Sequence, residues 1–204
     1  MEELGYSQTL GNLAVIKADI DEKAIRRPEP SELVRELGHA KADAILAKID
    51  AFSDEQRRAL MPEGAHVLLL TGDQVVVHKG QILEKPESAD EIRANCKGFA
   101  EAPASTVGSV VITPVSGRRR DCFDRSKRYD GVDITEIYFR PIPEQNIERL
   151  ITEGDVFYCA GGLMIEHPLV LPYVDHLLGT QDAVMGLSKA LVTQLVDAAL
   201  KSRA

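Results

Sequence analysis

Residues 67–77 read Val-Leu-Leu-Leu-Thr-Gly-Asp-Gln-Val-Val-Val, two apolar runs with a carboxylate set between them. Branched apolar residues without a helical period describe a strand buried on both faces, which requires a sheet with cover around it. An aspartate in such a strand costs free energy unless a cation, a set of donors or a metal compensates it. Asp73 is therefore either a satisfied core carboxylate or part of a site. Gly72 beside it suggests a bulge that re-aims side chains. Beyond His78, the two-residue Lys79-Gly80 turn and the stretch 81–86 (QILEKP) complete a hairpin.

Helices and further strands flank this hairpin. The stretch from Pro30 (PSELVRELGHAKADAILAKI) has Leu33, Val34, Leu37, Ala44 and Ile45 at helical spacing, with Ser31 as the expected N-cap. Lys41 falls inside the apolar arc, between Leu37 and Ile45, and either snorkels past the core edge, as Lys48 is expected to do, or points at something anionic. Residues 88–100 form a short helix, 106–114 a central strand, 133–140 an alternating strand, and 143–154 a helix opened by Pro143 and stopped by Gly154. Residues 159–168 (CAGGLMIEHP) read as a loop into a short strand, and 173–178 as the last strand. Ser188 caps a terminal helix with Leu191, Leu195, Val196 and Leu200 on one face. Strands and helices mix without strict alternation, so the class is α/β or α+β with a mixed sheet, and one domain over residues 1–204 is expected.

Composition narrows the function. The net charge of −8 argues against a nucleic-acid groove, because phosphate backbones are held by clustered Lys and Arg. The basic run 117–128 is interleaved with Asp121 and Asp124 and reads as a solvated hairpin tip. No apolar stretch approaches the ~20 residues of a membrane helix. Cys96, Cys122 and Cys159, an odd number without CxxC spacing, fit reduced thiols in a cytoplasmic protein.

Five places can carry chemistry: Asp19-Ile20-Asp21-Glu22, Asp73 with Gln74, Glu166, Lys41, and Lys85 in Glu84-Lys85-Pro86. Carboxylates and lysines in an acidic protein suit a magnesium-bound polyphosphate, where cations neutralise charge and a carboxylate orients or deprotonates water. Taken singly, the acidic turn and the Glu-Lys-Pro loop also read as ordinary solvated segments. The Walker, dinucleotide-binding, zincin and nucleophile-elbow patterns are absent.

The order of short motifs carries a resemblance. DIDE, then Ala40-Lys41-Ala42, GDQVVV, EKP, Phe139-Arg140-Pro141, CAGG and a late VMGL before the last helix are together similar to the Maf family of nucleoside triphosphate pyrophosphatases, within the ITPase-like superfamily. The resemblance implies an α/β fold with an elongated mixed β-sheet flanked by helices, in two lobes around a nucleotide cleft. It implies a divalent metal cation, Mg2+ or Mn2+, and hydrolysis of a nucleoside triphosphate to the monophosphate and pyrophosphate. Position by position, it implies Asp73 as catalytic base or metal-orienting carboxylate, Glu22 with Asp73 at the metal, and Lys41 and Lys85 at phosphates. Gln74 and Glu166 stand where many members have threonine and glutamine, a combination resembling the branch that acts on 7-methyl-GTP rather than on dTTP and UTP. A carboxylate suits a base carrying positive charge or ring N–H donors.

Family members open with a strand and an S-x-S-x-R phosphate loop, whereas this sequence starts at MEELGY, within what should be the following helix. The expectation is a chain lacking that strand and loop, a poor catalyst prone to associate, with a homodimer open. The alternative is a catalytically impaired nucleotide-binding or interaction protein. Nucleic acid and membrane are not expected as partners.

Overall fold

The computed structural model describes residues 1, 4, 11–62, 65–115 and 127–201. Cys122 and all of the basic run except Lys127 and Arg128 lie outside the described residues, as does most of the opening segment. The elements are α1 (Pro30–Asp50), α2 (Asp54–Leu60), β1 (Val67–Thr71), β2 (Gln74–His78), β3 (Gln81–Leu83), α3 (Ala89–Phe99), β4 (Ala104–Val115), β5 (Tyr129–Phe139), α4 (Glu144–Glu153), β6 (Val174–Leu178), α5 (Gln181–Val184) and α6 (Lys189–Lys201). The strands join in the order β3-β2-β4-β5-β6, with β1 also paired to β4, so β4 is central as its apolar sequence predicts. The β1–β4, β2–β3, β2–β4 and β5–β6 pairings are antiparallel. No described helix is long and apolar enough to cross a membrane.

The chain divides into two compact units. The first comprises Met1–Asp73, Ser109–Val132 and Leu187–Ala204. Within it β1 pairs with Val111–Val115 of β4. Strand alternation sends Val67 and Leu69 toward the Ile45, Leu46, Ile49 and Met61 cluster, and Leu68 and Leu70 toward Val192, Leu195 and Ala199. This is the two-faced burial that the apolar run implies. Helix α1 starts with Pro30 at its first turn and Glu29 at the cap without a side-chain bond. Ser31 is thus inside the helix rather than its N-cap, because proline's fixed φ already begins the turn one residue earlier. In α6 the buried stripe is Val192, Leu195 and Ala199, and the expected core residue Leu200 is 43% exposed. The small Ala199 takes the contact instead, one position back on the helix.

The second unit comprises Gln74–Gly108 and Asp133–Gly186. Its hairpin turns at Lys79 (φ 49°) and Gly80 (φ 77°), the successive positive φ values of the turn whose twist matches its strands. Ser88 Oγ accepts from Glu91 N to cap α3, and Gly154 at φ 89° ends α4. Val76, Ile92, Phe99, Ile137, Phe139, Ile147 and Leu150 form its core, with Phe99 stacked on Phe139 at 5.7 Å between centroids. The expected strand after Cys159 does not form. Ala160–Gly162 is a 3-10 turn with Gly161 and Gly162 at φ 62° and 69°, values that no strand accommodates, and turns continue to Tyr173.

The expected bulge at Gly72 is absent. Thr71 opposes Val111 and Gln74 opposes Gly108, so two residues face two and none is inserted. Glycine is required there for a different reason: a Cβ on Gly72 would lie 2.1 Å from the Ser109 carbonyl oxygen.

Candidate active site

Asp73 leaves β1 with its backbone held on both sides. Ser109 N donates to the Asp73 carbonyl at 2.8 Å, and Asp73 N donates to Ser109 Oγ at 3.1 Å. Ser109 Oγ also donates to the Val34 carbonyl of α1 at 2.6 Å, and Thr71 Oγ1 to the Gly38 carbonyl at 2.8 Å. These hydroxyls fasten α1 across β1 and β4. The helix can come that close because position 38 is glycine: a Cβ there would meet Val111 Cγ2 at 2.9 Å and Gly72 Cα at 3.6 Å.

One turn beyond Gly38, Lys41 extends into the gap this approach leaves. Its Nζ lies 2.6 Å from Asp73 Oδ1 and 2.8 Å from Glu22 Oε1. Asp73 is the more enclosed carboxylate, its side chain 13% exposed against 53% for Glu22. Two carboxylates share one ammonium, leaving one negative charge uncompensated. Burial, the largest influence, therefore holds the Asp73 pKa above its ordinary 3.8, with Glu22 adding to the rise and Lys41 opposing it. Burial alone would lower the Lys41 pKa, but hydrogen bonds to Asp73 and Glu22 outweigh it and leave the amine above its ordinary 10.5. The snorkelling alternative for Lys41 is thus set aside.

The acidic segment reaches this place through Lys48. Rather than snorkelling, Lys48 Nζ donates to the Lys17 carbonyl at 2.7 Å and pairs with the Asp19 carboxylate, whose pKa is lowered chiefly by that hydrogen bond. Asp19 adopts φ 53°, a turn conformation that aspartate tolerates, and Asp21 Oδ1 accepts from Lys23 N at 3.0 Å to cap the 3-10 turn carrying Glu22. Ile16, Asp19, Glu22, Lys41, Ile45 and Gly72 are among the residues lining a cavity of about 470 Å³ in the first unit. That volume suits a small ligand.

The remaining expected residues belong to the second unit. Gln74 follows Asp73 in sequence; its Nε2 donates to the Ala183 carbonyl at 2.7 Å, which leaves Oε1 as an acceptor. Lys85 and Glu166 both act on the thiol of Cys159. Burial raises its pKa first, then Glu166 and Asp155, while Lys85 lowers it. The Lys41, Asp73 and Glu22 trio is therefore in direct contact, and Lys85 and Glu166 share the surroundings of Cys159.

The profile of the family described as Maf-like protein matches residues 6–199. The chain belongs to the Maf-like family. A Dictyostelium discoideum relative named 7-methyl-GTP pyrophosphatase is 35% identical over 179 residues, covering 87% of this chain and 82% of that one. A Chromobacterium violaceum relative named dTTP/UTP pyrophosphatase is 28% identical over 187 residues, 92% of this chain and 81% of that one. A Streptomyces coelicolor relative named nucleoside triphosphate pyrophosphatase is 27% identical over 183 residues, 89% and 78%.

Enzymes of the Maf-like family are generally metal-dependent, and the donors of this site that a hard divalent cation would accept are the carboxylate oxygens of Asp73 and Glu22, with the Lys41 ammonium between them. Asp73 and Glu22 offer oxygen donors and an unbalanced negative charge. Among the described residues no three His, Cys, Asp or Glu side chains gather for a metal. Two carboxylates, with the rest of the sphere left to water and phosphate, are donors that a hard divalent cation accepts. The sequence of this Maf-like chain does not single out Ser109 or Gly38, and it suggests a snorkelling Lys48 where the structure has one bonded to Lys17 and Asp19. A serine in an apolar strand and a glycine in mid-helix are signals of close approach that could have pointed to the first two.

Proposed function

We propose that this chain is a nucleoside triphosphate pyrophosphatase that hydrolyses the α–β phosphoanhydride to give the nucleoside monophosphate and pyrophosphate. The observation that carries the reading is the convergence of Asp73 and Glu22 on Lys41. Asp73 accepts the proton of the water that attacks the α-phosphorus, while the bond to the pyrophosphate oxygen breaks. Burial gives the carboxylate more basicity than a solvated aspartate, and Lys41 opposes that rise. Lys41 also offers its remaining donor capacity to a phosphate oxygen, and a phosphate contact is the role proposed for Lys85 as well. Asp73 and Glu22 would hold the divalent cation, Mg2+ or Mn2+, which when bound would supply neutralisation of phosphate charge.

Base choice is assigned to Gln74 and Glu166. Guanine presents N1–H and N2–H donors, and its 7-methyl form adds positive charge; a carboxylate answers both. The relative named 7-methyl-GTP pyrophosphatase, at 35% identity, supports this preference. The net charge of −8 supports a free nucleotide over a polynucleotide as partner. Cys96 and Cys159 as free thiols accord with a reducing cytoplasm.

The test is pyrophosphate release from a panel of nucleoside triphosphates with Mg2+, run on the parent, Asp73→Asn and Glu166→Gln. We expect 7-methyl-GTP to be the preferred substrate, Asp73→Asn to be nearly inactive, and Glu166→Gln to lose the preference. Hydrolysis that survives Asp73→Asn overturns the catalytic assignment.

A further inference from the structure

The loop that presents Glu166 is fastened at the neighbouring residue. Ile165 is buried at 4% exposure and Val170 at 4%, while Glu166 between them stands in solvent. His167 is bonded through every polar atom it has. Its N donates to the Met164 carbonyl at 3.1 Å, and its own carbonyl accepts from Val170 N and Leu171 N, both at 2.8 Å. In the ring, Leu169 N donates to Nδ1 at 3.2 Å, which fixes the ring proton on Nε2. Nε2 then donates to Glu153 Oε2 on the last turn of α4, at 3.0 Å. At the other end of the same helix, Asn146 Nδ2 donates to the Leu169 carbonyl at 3.1 Å. The loop is thus tied to both ends of α4 while its carboxylate stays unburied.

We infer that His167, held by Glu153, is a positioning residue for Glu166, fixing the direction of that carboxylate and so the enzyme's choice of base. The inference rests on the proposed role of Glu166. A polar group discriminates between ligands in proportion to how closely its direction is fixed, since a mobile carboxylate can reorient to meet the wrong base or turn away from the right one. An imidazole suits the task because its two nitrogens, one accepting and one donating, join the loop backbone to a helix through one rigid ring. Asparagine can replace the first contact and not the second.

The experiment compares kcat/KM for 7-methyl-GTP with that for UTP in the parent, Glu166→Gln, His167→Ala, His167→Asn, Glu153→Ala and Glu153→Gln, with thermal unfolding of each. His167→Ala should lower the ratio by roughly fivefold or more through a raised KM for 7-methyl-GTP, with UTP turnover changed by less than about twofold. His167→Asn and Glu153→Ala should lie between, and Glu153→Gln, which keeps the acceptor, should retain the ratio. His167→Ala combined with Glu166→Gln should lose no more than Glu166→Gln alone. If Glu166→Gln moves the ratio and His167→Ala does not, or lowers both substrates equally, the positioning role is overturned and the Glu166 reading stands. An unmoved ratio in Glu166→Gln overturns both. Should His167→Ala fail to fold, the pair of Glu153 variants decides, since each keeps the His167 to Leu169 bond.

Discussion

Lys41 Nζ lies 2.6 Å from Asp73 Oδ1, joining residues 32 apart in sequence. Neither is fully enclosed, and the ammonium also serves Glu22. Removing any one of the three changes the charge felt by the other two, and each removal has its own signature.

Asp73→Asn keeps the size and backbone bonds of the side chain and removes its basicity. Turnover should fall by roughly 10²–10⁴-fold, the usual contribution of a positioned base, with the far-UV circular dichroism unchanged. Activity within a factor of a few of the parent would exclude Asp73 as the base.

The raised pKa of Asp73 also predicts a stability effect in the chelated protein. A carboxyl that binds its proton more tightly when folded adds stability as pH falls through its folded value, and the addition is complete below the unfolded value of 3.8. Denaturant unfolding of parent and Asp73→Asn should therefore diverge in the parent's favour as pH falls toward 3.8. A constant difference across that range would show that Asp73 titrates normally.

Lys41→Met removes the partner that holds the Asp73 pKa down, so the same titration should move to higher pH. Nucleotide affinity should fall by roughly tenfold or more, as for the loss of a charge-assisted contact. A variant that binds nucleotide normally would mean Lys41 only balances charge.

Chelation should abolish turnover without unfolding the chain, since Lys41 still bridges the two carboxylates, and Mg2+ should restore it. Glu22→Gln should raise the Mg2+ concentration for half-maximal rate by about tenfold, with less effect on the saturated rate. An unchanged Mg2+ requirement would remove Glu22 from the metal.

Gly72→Ala drives a Cβ to within 2.1 Å of the Ser109 carbonyl oxygen, which belongs to backbone and cannot swing aside. A loss of about 1–3 kcal/mol is expected, read as a lower denaturant midpoint at constant slope.

Much of this was legible in the sequence because it rests on local chemistry. The Lys79-Gly80 turn, the Gly154 stop and the Asp73 anomaly each announce themselves within a few residues. Lys41 was visible as an ammonium on an apolar arc, though not which carboxylates it meets, since that depends on α1 crossing β1 and β4. The failures have the same origin. Gly72 looked like a bulge because a glycine's missing Cβ gives no sign of what it makes room for, and the Gly161-Gly162 pair ended a strand that apolar content alone would have drawn. The roles of His167 and Lys48 depend on partners 14 and 29 residues away in sequence, beyond any local pattern.

The missing side chain at Gly38 turns the packing of α1 into an adjustable spacer. Because a Cβ at position 38 would meet Val111, Ser109 and Gly72, a larger residue there would act as a shim between α1 and the strands that lead to Asp73, moving the helix and with it the reach of Lys41, one turn along. The absence of a side chain at residue 38 thus sets how closely α1 lies against β1 and β4, and so the place from which the Lys41 ammonium reaches Asp73.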